Sequence, residues 1–238
     1  MSIKKVGIII ADDMEYAPFA EAAGVYGATE ETLLGRRCIR FSLKDGENEL
    51  EVLAVHCGIG KVNAAAATAY VVSRGVDFII NTGLSGGINH IGMGMITLPD
   101  RLLEYDFDLT VLGYNFAAKP QQKYIYDADL SLNAAFIKVC PHAKVGTMVT
   151  GDRFVSDTVL KSELIDRFDA VSCDMESAAV ASVCYFAGVP FTAVRRISDD
   201  AGENATESYT EMNDRAEATL AEIVMDGLKE LLHSEGIF

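Results

Sequence analysis

Three carboxyl-bearing residues stand where short apolar segments of the sequence end. Glu15, Glu176 and Asp199 each follow, within a few residues, a run of mainly apolar residues. Runs of this length are typical of buried strands, and ligands of open α/β sheets bind beside the carboxyl ends of the strands. Carboxyl groups at such an edge are suited to general acid and base chemistry, which makes these three the candidate catalytic residues.

Two further strand ends carry residues of other kinds. A glycine-rich segment at 83–87 follows one apolar run, and Phe154 stands shortly after another. Taken singly, an acidic residue after a strand is most often a helix N-cap, and adjacent glycines usually serve a tight turn. The glycine turn at 58–61 lacks the glycine spacing of a phosphate-binding loop. We therefore expect it to be an ordinary turn at the start of a helix. The combination of strand ends, more than any one of them, indicates a ligand site.

The elements that must position these residues alternate along the chain. Six apolar runs predict strands, at 6–11, 52–55, 78–82, 95–98, 145–150 and 191–197. Segments with helical spacing lie between them, at 62–73, 130–139, 177–187 and 211–232. This alternation predicts one α/β domain over residues 1–238, with three layers and a mixed, twisted sheet flanked by helices. A β-hairpin is expected at 38–55, and a long functional or interface loop at 103–123.

Length and composition exclude several classes of protein. The chain has 238 residues, of which 50% are hydrophobic and 23% charged, so it can bury a core and is not a disordered linker. Its formal net charge of −15 disfavours binding to nucleic acid or to an anionic membrane surface. No apolar run reaches the roughly 18 residues of a membrane span. Five cysteines without metal-ligand spacing indicate free thiols in a reducing compartment, so we expect a cytoplasmic protein with no metal site.

Six motifs occur in order along the chain. They are Val-Gly-Ile-Ile at 6–9 with Glu15, Cys-Gly-Ile-Gly-Lys-Val-Asn-Ala-Ala at 57–65, Asn-Thr-Gly at 81–83 with Gly-Gly at 86–87, Gly-Asp-Arg-Phe at 151–154, Asp-Met-Glu-Ser-Ala-Ala at 174–179, and Arg-Arg-Ile-Ser-Asp at 195–199. Together they resemble the 5′-methylthioadenosine/S-adenosylhomocysteine nucleosidases. The resemblance implies the nucleoside phosphorylase-like fold of that superfamily. It also implies an enzyme that hydrolyses the N-glycosidic bond of these two nucleosides and releases adenine and a 5-thioribose.

The resemblance implies a catalytic role for each residue that matches a family motif. Asp199 would protonate N7 of adenine, which requires a pKa above the usual aspartate value of about 3.9, and Ser198 would orient it. Glu15 would bind and deprotonate the attacking water, and Arg195 would help to hold that water. Glu176 would bind the ribose hydroxyls and stabilise the oxocarbenium-like transition state.

Other matched positions would contact the substrate. Phe154 would stack on the adenine ring, and the main chain of Val155 would read the edge of the purine. Met175 would pack against the ribose, and Tyr209 would cover the 5′-alkylthio group. The resemblance further implies a homodimer, acting in methionine salvage, whose partner subunit closes the pocket through residues 105–112. It implies neither a metal nor a cofactor.

The chain departs from the family pattern in three segments. In one of them, Arg196 replaces a small residue and Asp200 adds a charge beside the proposed acid. Leu84 and Ser85 stand where the family often has Ser-Ala, and Ser85 is expected, with Gly86, to form the ribose-side wall. Asp12 and Asp13 precede the proposed water-activating glutamate in place of the usual residues. Whether one of these two aspartates shares its role stays open.

Three other functions are compatible with parts of this pattern. A phosphorylase of the same superfamily would need arginines to neutralise phosphate, and the acidic turn at 12–15 favours water instead. A nucleosidase for another adenine nucleoside, such as aminodeoxyfutalosine or 5′-deoxyadenosine, fits the same motifs. A non-catalytic nucleoside-binding domain would be expected to lack at least one of Glu15, Glu176 and Asp199, and all three are present.

Overall fold

A mixed β-sheet organises the chain in the computed structural model, which describes residues 2–33 and 35–234, without the side chains of residues 2 and 211–218. In these residues the sheet has ten strands: β1 (Ser2–Ile10), β2 (Thr29–Leu33), β3 (Arg36–Asp45), β4 (Asn48–His56), β5 (Phe78–Gly87), β6 (Ile96–Glu104), β7 (Ile125–Asp127), β8 (Lys144–Thr150), β9 (Ala170–Asp174) and β10 (Phe191–Asp199). β1 lies between β4 and β5 and is parallel to both. These central strands are largely buried, as expected for a sheet with helices on both faces.

The sheet closes on itself at one side. β10 pairs with both β5 and β6, and β8 and β9 connect β6 back to β5, so that five strands form a ring. β5 can approach β9 and β10 because it ends in glycines: a Cβ on Gly87 would lie only 2.9 Å from Ile197 Cγ2. The ends of β1, β9 and β10 therefore meet around the carboxyl-terminal half of β5.

Helices cover the two faces of this sheet. Their bounds are α1 (Asp13–Gly24), α2 (Lys61–Ser73), α3 (Leu130–Val139), α4 (Thr158–Phe168), α5 (Ser177–Ala187) and α6 (Ala205–Leu232). One face is covered by α1, α3 and α6, over a core that includes Phe19, Phe136 and Leu228. The other face is covered by α2 and α5, over a core that includes Val71 and Val180. Within the described residues, no helix is long and apolar enough to cross a membrane.

The predicted three-layer α/β fold is confirmed, and α3 and α5 have the predicted bounds. The glycine-rich segment at 83–87 is not a turn, as its composition suggested, but the second half of β5. Its glycines serve the close approach of neighbouring strands, so a composition that usually marks a turn here marks tight packing. The last helix begins at Ala205, well before the predicted start at residue 211.

Other segments differ from the expectations in smaller ways. The hairpin expected at 38–55 is formed by β3 and β4, and β2 extends it to three antiparallel strands. The loop expected at 103–123 begins inside β6, which ends at Glu104, and contains a short 3-10 turn at Thr110–Leu112. Two helices were not predicted. α1 buries Tyr16, Phe19 and Ala23 at helical spacing, but Pro18 within the segment disfavours a helix. α4 buries only Leu164 and shows no clear apolar face in the sequence.

Candidate active site

A cavity of about 360 Å³ lies beside the carboxyl-terminal half of β5. The predicted catalytic and substrate-binding residues that line it are Glu15, Ser85, Gly86, Phe154, Val155, Met175, Glu176, Ser198, Asp199 and Tyr209. Arg195 lies behind this wall, 1% exposed, in contact with carboxylates. Residues from distant parts of the sequence are therefore brought to one site.

The local sequence holds Glu15 at the amino-terminal end of α1. Glu15 forms a capping box with Asp12, whose main-chain N–H lies 3.2 Å from Glu15 Oε2. The other oxygen, Oε1, accepts the main-chain N–H of Leu84 at 2.7 Å. Burial raises the pKa of Glu15 to about 7; Arg195 opposes this shift and Glu176 adds to it. A carboxyl group with this pKa can take a proton from water near neutral pH.

A buried arginine connects the carboxylates behind the cavity. Arg195 Nη2 lies 3.2 Å from Glu176 Oε2, and Arg195 Nε lies 3.1 Å from Asp174 Oδ2. Burial alone would lower the pKa of Arg195, but Asp174, Glu176 and Glu15 outweigh it and raise that pKa. The guanidinium therefore stays charged, and it places a fixed positive charge next to two cavity carboxylates.

Asp174, Asn81 and Ser177 complete the hydrogen-bond network of Arg195, and no role was predicted for any of the three. Asn81 Oδ1 accepts from Arg195 Nη2 at 2.6 Å, and Ser177 Oγ lies 2.8 Å from the same oxygen. Asp174 accepts the Ser177 hydroxyl and, at 2.6 Å, the hydroxyl of Thr150. Asn81 carried a usable signal, because a polar residue inside a buried strand requires a hydrogen-bond partner.

Glu176 is anchored from two sides. It precedes α5, is 4% exposed, and its Oε1 accepts the main-chain N–H of Gly60 at 2.9 Å. Its Oε2 faces Arg195, as described above. Burial raises the pKa of Glu176, while Arg195 acts in the opposite direction. The next N–H at the start of α2, that of Lys61, binds Asp152 Oδ1 at 2.8 Å, so carboxylates of the chain itself occupy this helix end.

Asp199 ends β10 and lies on the far side of β5 from Glu15. Its Oδ2 lies 2.7 Å from Ser198 Oγ, and its Oδ1 accepts the N–H of Ala201 at 2.8 Å. The Ser198 hydroxyl also lies 3.3 Å from the carbonyl oxygen of Ser85. Burial raises the pKa of Asp199, although the hydrogen bonds from Ser198 and Ala201 oppose the shift. The carboxyl group of Asp199 therefore stays protonated to a higher pH than that of an exposed aspartate.

Two glycines of β5 leave room for these acidic side chains. A Cβ on Gly83 would lie 2.7 Å from Glu15 Oε1 and would also collide with the Arg195 guanidinium. A Cβ on Gly86 would lie 3.0 Å from Cys173 Sγ and 3.2 Å from Asp199 Oδ1. The site therefore requires glycine at these two positions of β5.

Aromatic and apolar side chains form the remaining wall. The rings of Phe154 and Tyr209 meet edge to face, with centroids 5.7 Å apart. Phe154 is 41% exposed in this structure, which leaves much of its ring accessible. Val155 is buried, and no backbone hydrogen bond to another described residue uses its main chain.

The two aspartates before Glu15 have different surroundings. Asp12 lines the cavity and caps α1 through the N–H of Met14, 2.8 Å from Asp12 Oδ1. The side chain of Asp13 is 73% exposed and pairs with Arg37 outside the cavity. Neither has the contact with Leu84 that holds Glu15, so the two do not duplicate its position.

The fold and this site define a member of the phosphorylase superfamily, whose family model matches residues 5–229. A 5′-methylthioadenosine/S-adenosylhomocysteine nucleosidase from a Marinomonas species is 36% identical over 216 residues, which cover 87% of this chain and 90% of that protein. Within the superfamily, the chain belongs to this nucleosidase family, as its motifs predicted.

Solved structures agree with this assignment. A variant of the Helicobacter pylori nucleosidase, with 5′-methylthioadenosine in its active site, superposes with a TM-score of 0.88 at 27% identity, over 97% of this chain and all of that one (100%). The futalosine hydrolase of the same organism superposes with a TM-score of 0.87 at 26% identity, over 95% of this chain and 98% of that one. The fold is therefore shared by nucleosidases described with different substrates.

Proposed function

We propose that this chain hydrolyses the N-glycosidic bond of 5′-methylthioadenosine and S-adenosylhomocysteine, releasing adenine and the 5-thioribose product. The observation that carries the proposal is the pair of carboxyl groups on opposite sides of β5. Glu15 has a pKa raised to about 7, and Asp199 is buried with a raised pKa. Two such groups suit a reaction that needs both a base for water and an acid for the leaving base.

Asp199 is proposed as the general acid. Adenine is a poor leaving group as an anion, so N7 must receive a proton as the bond to C1′ breaks. The raised pKa of Asp199 favours its protonated form, and the contact with Ser198 Oγ at 2.7 Å fixes the orientation of the carboxyl group. Both features support proton donation by this residue.

Glu15 is proposed to bind the attacking water and take its proton. Arg195 supports this role because its charge opposes protonation of Glu15 before the reaction. Glu176 is proposed to accept the ribose hydroxyls, and its charge would stabilise the oxocarbenium-like sugar. The hydroxyl of Ser85, buried without a hydrogen-bond partner among the described residues, supports a further polar contact with the water or the ribose.

The remaining wall residues are proposed to position the substrate. The accessible ring of Phe154 suits stacking on adenine, and the main chain of Val155 suits a hydrogen bond to the purine edge. Met175 would pack against the ribose, with Gly86 leaving room opposite it. Tyr209, in contact with the Phe154 ring, would cover the 5′-alkylthio group.

A phosphorylase is disfavoured by the charges around the cavity. A phosphate nucleophile needs positively charged partners, and helix amino termini often supply part of that site. Here the first N–H groups of α2 bind Glu176 and Asp152, and Arg195 is committed to carboxylates. Arg153 lines the cavity, but its guanidinium pairs with Asp157 at 2.8 Å.

The test is a product assay with 5′-methylthioadenosine, run with and without inorganic phosphate. Hydrolysis predicts adenine and free methylthioribose at equal rates in both conditions. Phosphate-dependent release of a ribose 1-phosphate would establish the phosphorylase instead. Because a similar fold is found in a futalosine hydrolase, aminodeoxyfutalosine is assayed in parallel as the second candidate substrate.

A homodimer is also part of the proposal. Val111 and Leu112, in the loop expected to close a partner's pocket, are 90% and 67% exposed. Exposed apolar side chains at the tip of a loop favour burial against another surface. A cytoplasmic location is proposed from the five cysteines, which suit a reducing compartment, and a role in methionine salvage is proposed on the family resemblance.

A further inference from the structure

The cavity wall contains two acidic side chains to which the proposed mechanism gives no role, Asp12 and Asp174. Asp174 is paired with the buried guanidinium of Arg195, whereas Asp12 is not. Asp12 directly follows β1 and caps α1, and it lines the cavity together with Ile59. Its carboxylate is partly exposed, and the hydrogen bonds it makes are to main-chain N–H groups at the start of α1. A helix can be capped equally well by neutral serine or asparagine, so the cap does not require this charge.

The order of the strands places Asp12 at one end of the substrate path. Asp199 ends β10, which pairs with β5; β5 pairs with β1, and β1 pairs with β4. Neighbouring strands lie about 4.8 Å apart, so the ends of β1 and β10 are separated by about 10 Å across the sheet. They are also separated along β5 by about 13 Å, because the end of β1 pairs with Thr82 and the end of β10 pairs with Gly86. Glu15 and Glu176, the proposed contacts of the water and the ribose, lie between these ends. A nucleoside with its base at Asp199 and its ribose at Glu176 would extend its 5′ substituent towards the part of the cavity lined by Asp12 and Ile59, with Tyr209 covering it.

The charge of Asp12 is not neutralised by its neighbours. Among the described residues, no Lys, Arg or His nitrogen forms an ion pair with it, whereas Arg37 is engaged by Asp13. Burial and the charge of Arg37 lower the pKa of the nearby His56, although Asp12 acts in the opposite direction, so this ring carries less positive charge than an ordinary histidine. Arg36 donates to Asn63 Oδ1 at 2.5 Å, and Arg153 is paired with Asp157. The 5′ end of the cavity is therefore negative.

We propose that Asp12 is a specificity-determining residue that selects 5′ substituents with a terminal ammonium group and disfavours those with a terminal carboxylate. The inference rests on the proposed nucleosidase function and names the class of substrate within it. An ammonium group at the end of a short 5′-thioalkyl chain gains a partner at Asp12. A carboxylate in the same place is repelled by Asp12, and an uncharged alkyl group is neither attracted nor repelled.

The test compares three adenosine analogues of nearly equal length: 5′-(2-aminoethylthio), 5′-propylthio and 5′-(2-carboxyethylthio). For the wild-type enzyme, kcat/KM is expected to fall from the first to the second to the third, by about threefold to tenfold at each step. In Asp12→Asn the preference is expected to shrink to less than about twofold, because asparagine keeps the cap and removes the charge. Asp12→Ser, which also keeps the cap, is expected to give the same result.

Asp13→Asn is the matched control, since it removes the neighbouring charge from the exposed side of the same helix end. Its order of preference should equal that of the wild type. If Asp12→Asn keeps the wild-type ratios while methylthioadenosine is cleaved, the role of Asp12 is overturned and the nucleosidase function stands. If the wild type cleaves no adenine nucleoside in the series, nor methylthioadenosine, the nucleosidase function and this inference both fail.

Discussion

Leu84 donates its main-chain N–H to Oε1 of Glu15 at 2.7 Å. This hydrogen bond joins the first helix to the middle strand of the site and fixes the carboxyl group beside Gly83, where a larger residue would collide with it. The helix end orients Glu15, and burial against β5 raises its pKa. Its proposed role in activating water therefore depends on both the local cap and the packing of two distant segments.

The activity should depend on the ionisation of Glu15. Because the proposed base acts when deprotonated, kcat/KM is expected to rise with pH through a midpoint near the pKa of about 7. Initial rates of adenine release between pH 5 and 9 would measure this limb. A rate that is already constant at pH 5 would contradict the proposed role.

The contribution of Glu15 to the stability of the folded protein should fall as pH rises, whereas the activity should rise. The pKa of Glu15 is raised from the ordinary value of 4.5 to about 7, so its stabilising contribution is present below pH 4.5 and is lost as pH rises through 7. Glu15→Gln, which keeps the capping box, is expected to abolish turnover and yet to increase Tm relative to the wild type more at pH 8 than at pH 5. Thermal unfolding of both proteins at the two pH values measures this difference.

Asp199→Asn should separate the proposed acid from its acidic neighbour. Loss of a general acid is expected to reduce kcat by about 10²- to 10⁴-fold. Asp200→Asn is the control, because the Asp200 side chain is 59% exposed and faces Lys161. It should retain nearly full activity. Equal losses in the two variants would point to a general charge effect in place of proton donation.

Lys61 should act on binding through the loop that carries Phe154. Its Nζ lies 2.5 Å from Asp106 Oδ1, and Asp106 Oδ2 accepts the N–H of Asp152 at 2.9 Å, at the start of that loop. Lys61→Met keeps the apolar stem and removes the ammonium group. We expect KM for the nucleoside to rise about tenfold with a smaller change in kcat, because the proposed adenine platform is less well positioned.

Lys119→Met provides the comparison for this experiment. Lys119, like Lys61, pairs with Glu104, but it makes no ion pair with Asp106 or Asp152 among the described residues. The KM of Lys119→Met for the nucleoside is expected to stay within about twofold of the wild-type value. If both lysine variants raise KM equally, the effect comes from Glu104 and not from the loop.

The arrangement of elements was largely predictable because the signals for it are local. Two helices were placed correctly, α3 because it buries one regular face and α5 because it is a long run of small and apolar residues, buried throughout 177–181. The ring formed by β5, β6, β8, β9 and β10 was not predictable. The residues of a single strand do not indicate which distant strand it pairs with. The glycines at 83–87 suggested a turn for the same reason: their purpose is the approach of β9 and β10.

The order of residues along the chain was enough to predict which chemical groups stand at the strand ends, and the motifs were enough to predict the family. The packing of the folded chain determines which acidic groups face the cavity. Asp12 and Asp13 are neighbours in sequence, yet one lines the cavity and the other pairs with Arg37 outside it. It also decided the raised pKa values of Glu15 and Asp199 and the commitment of Arg195 to Asp174 and Glu176. Burial and charge–charge distances arise from segments far apart in the chain, so they exist only once those segments are packed.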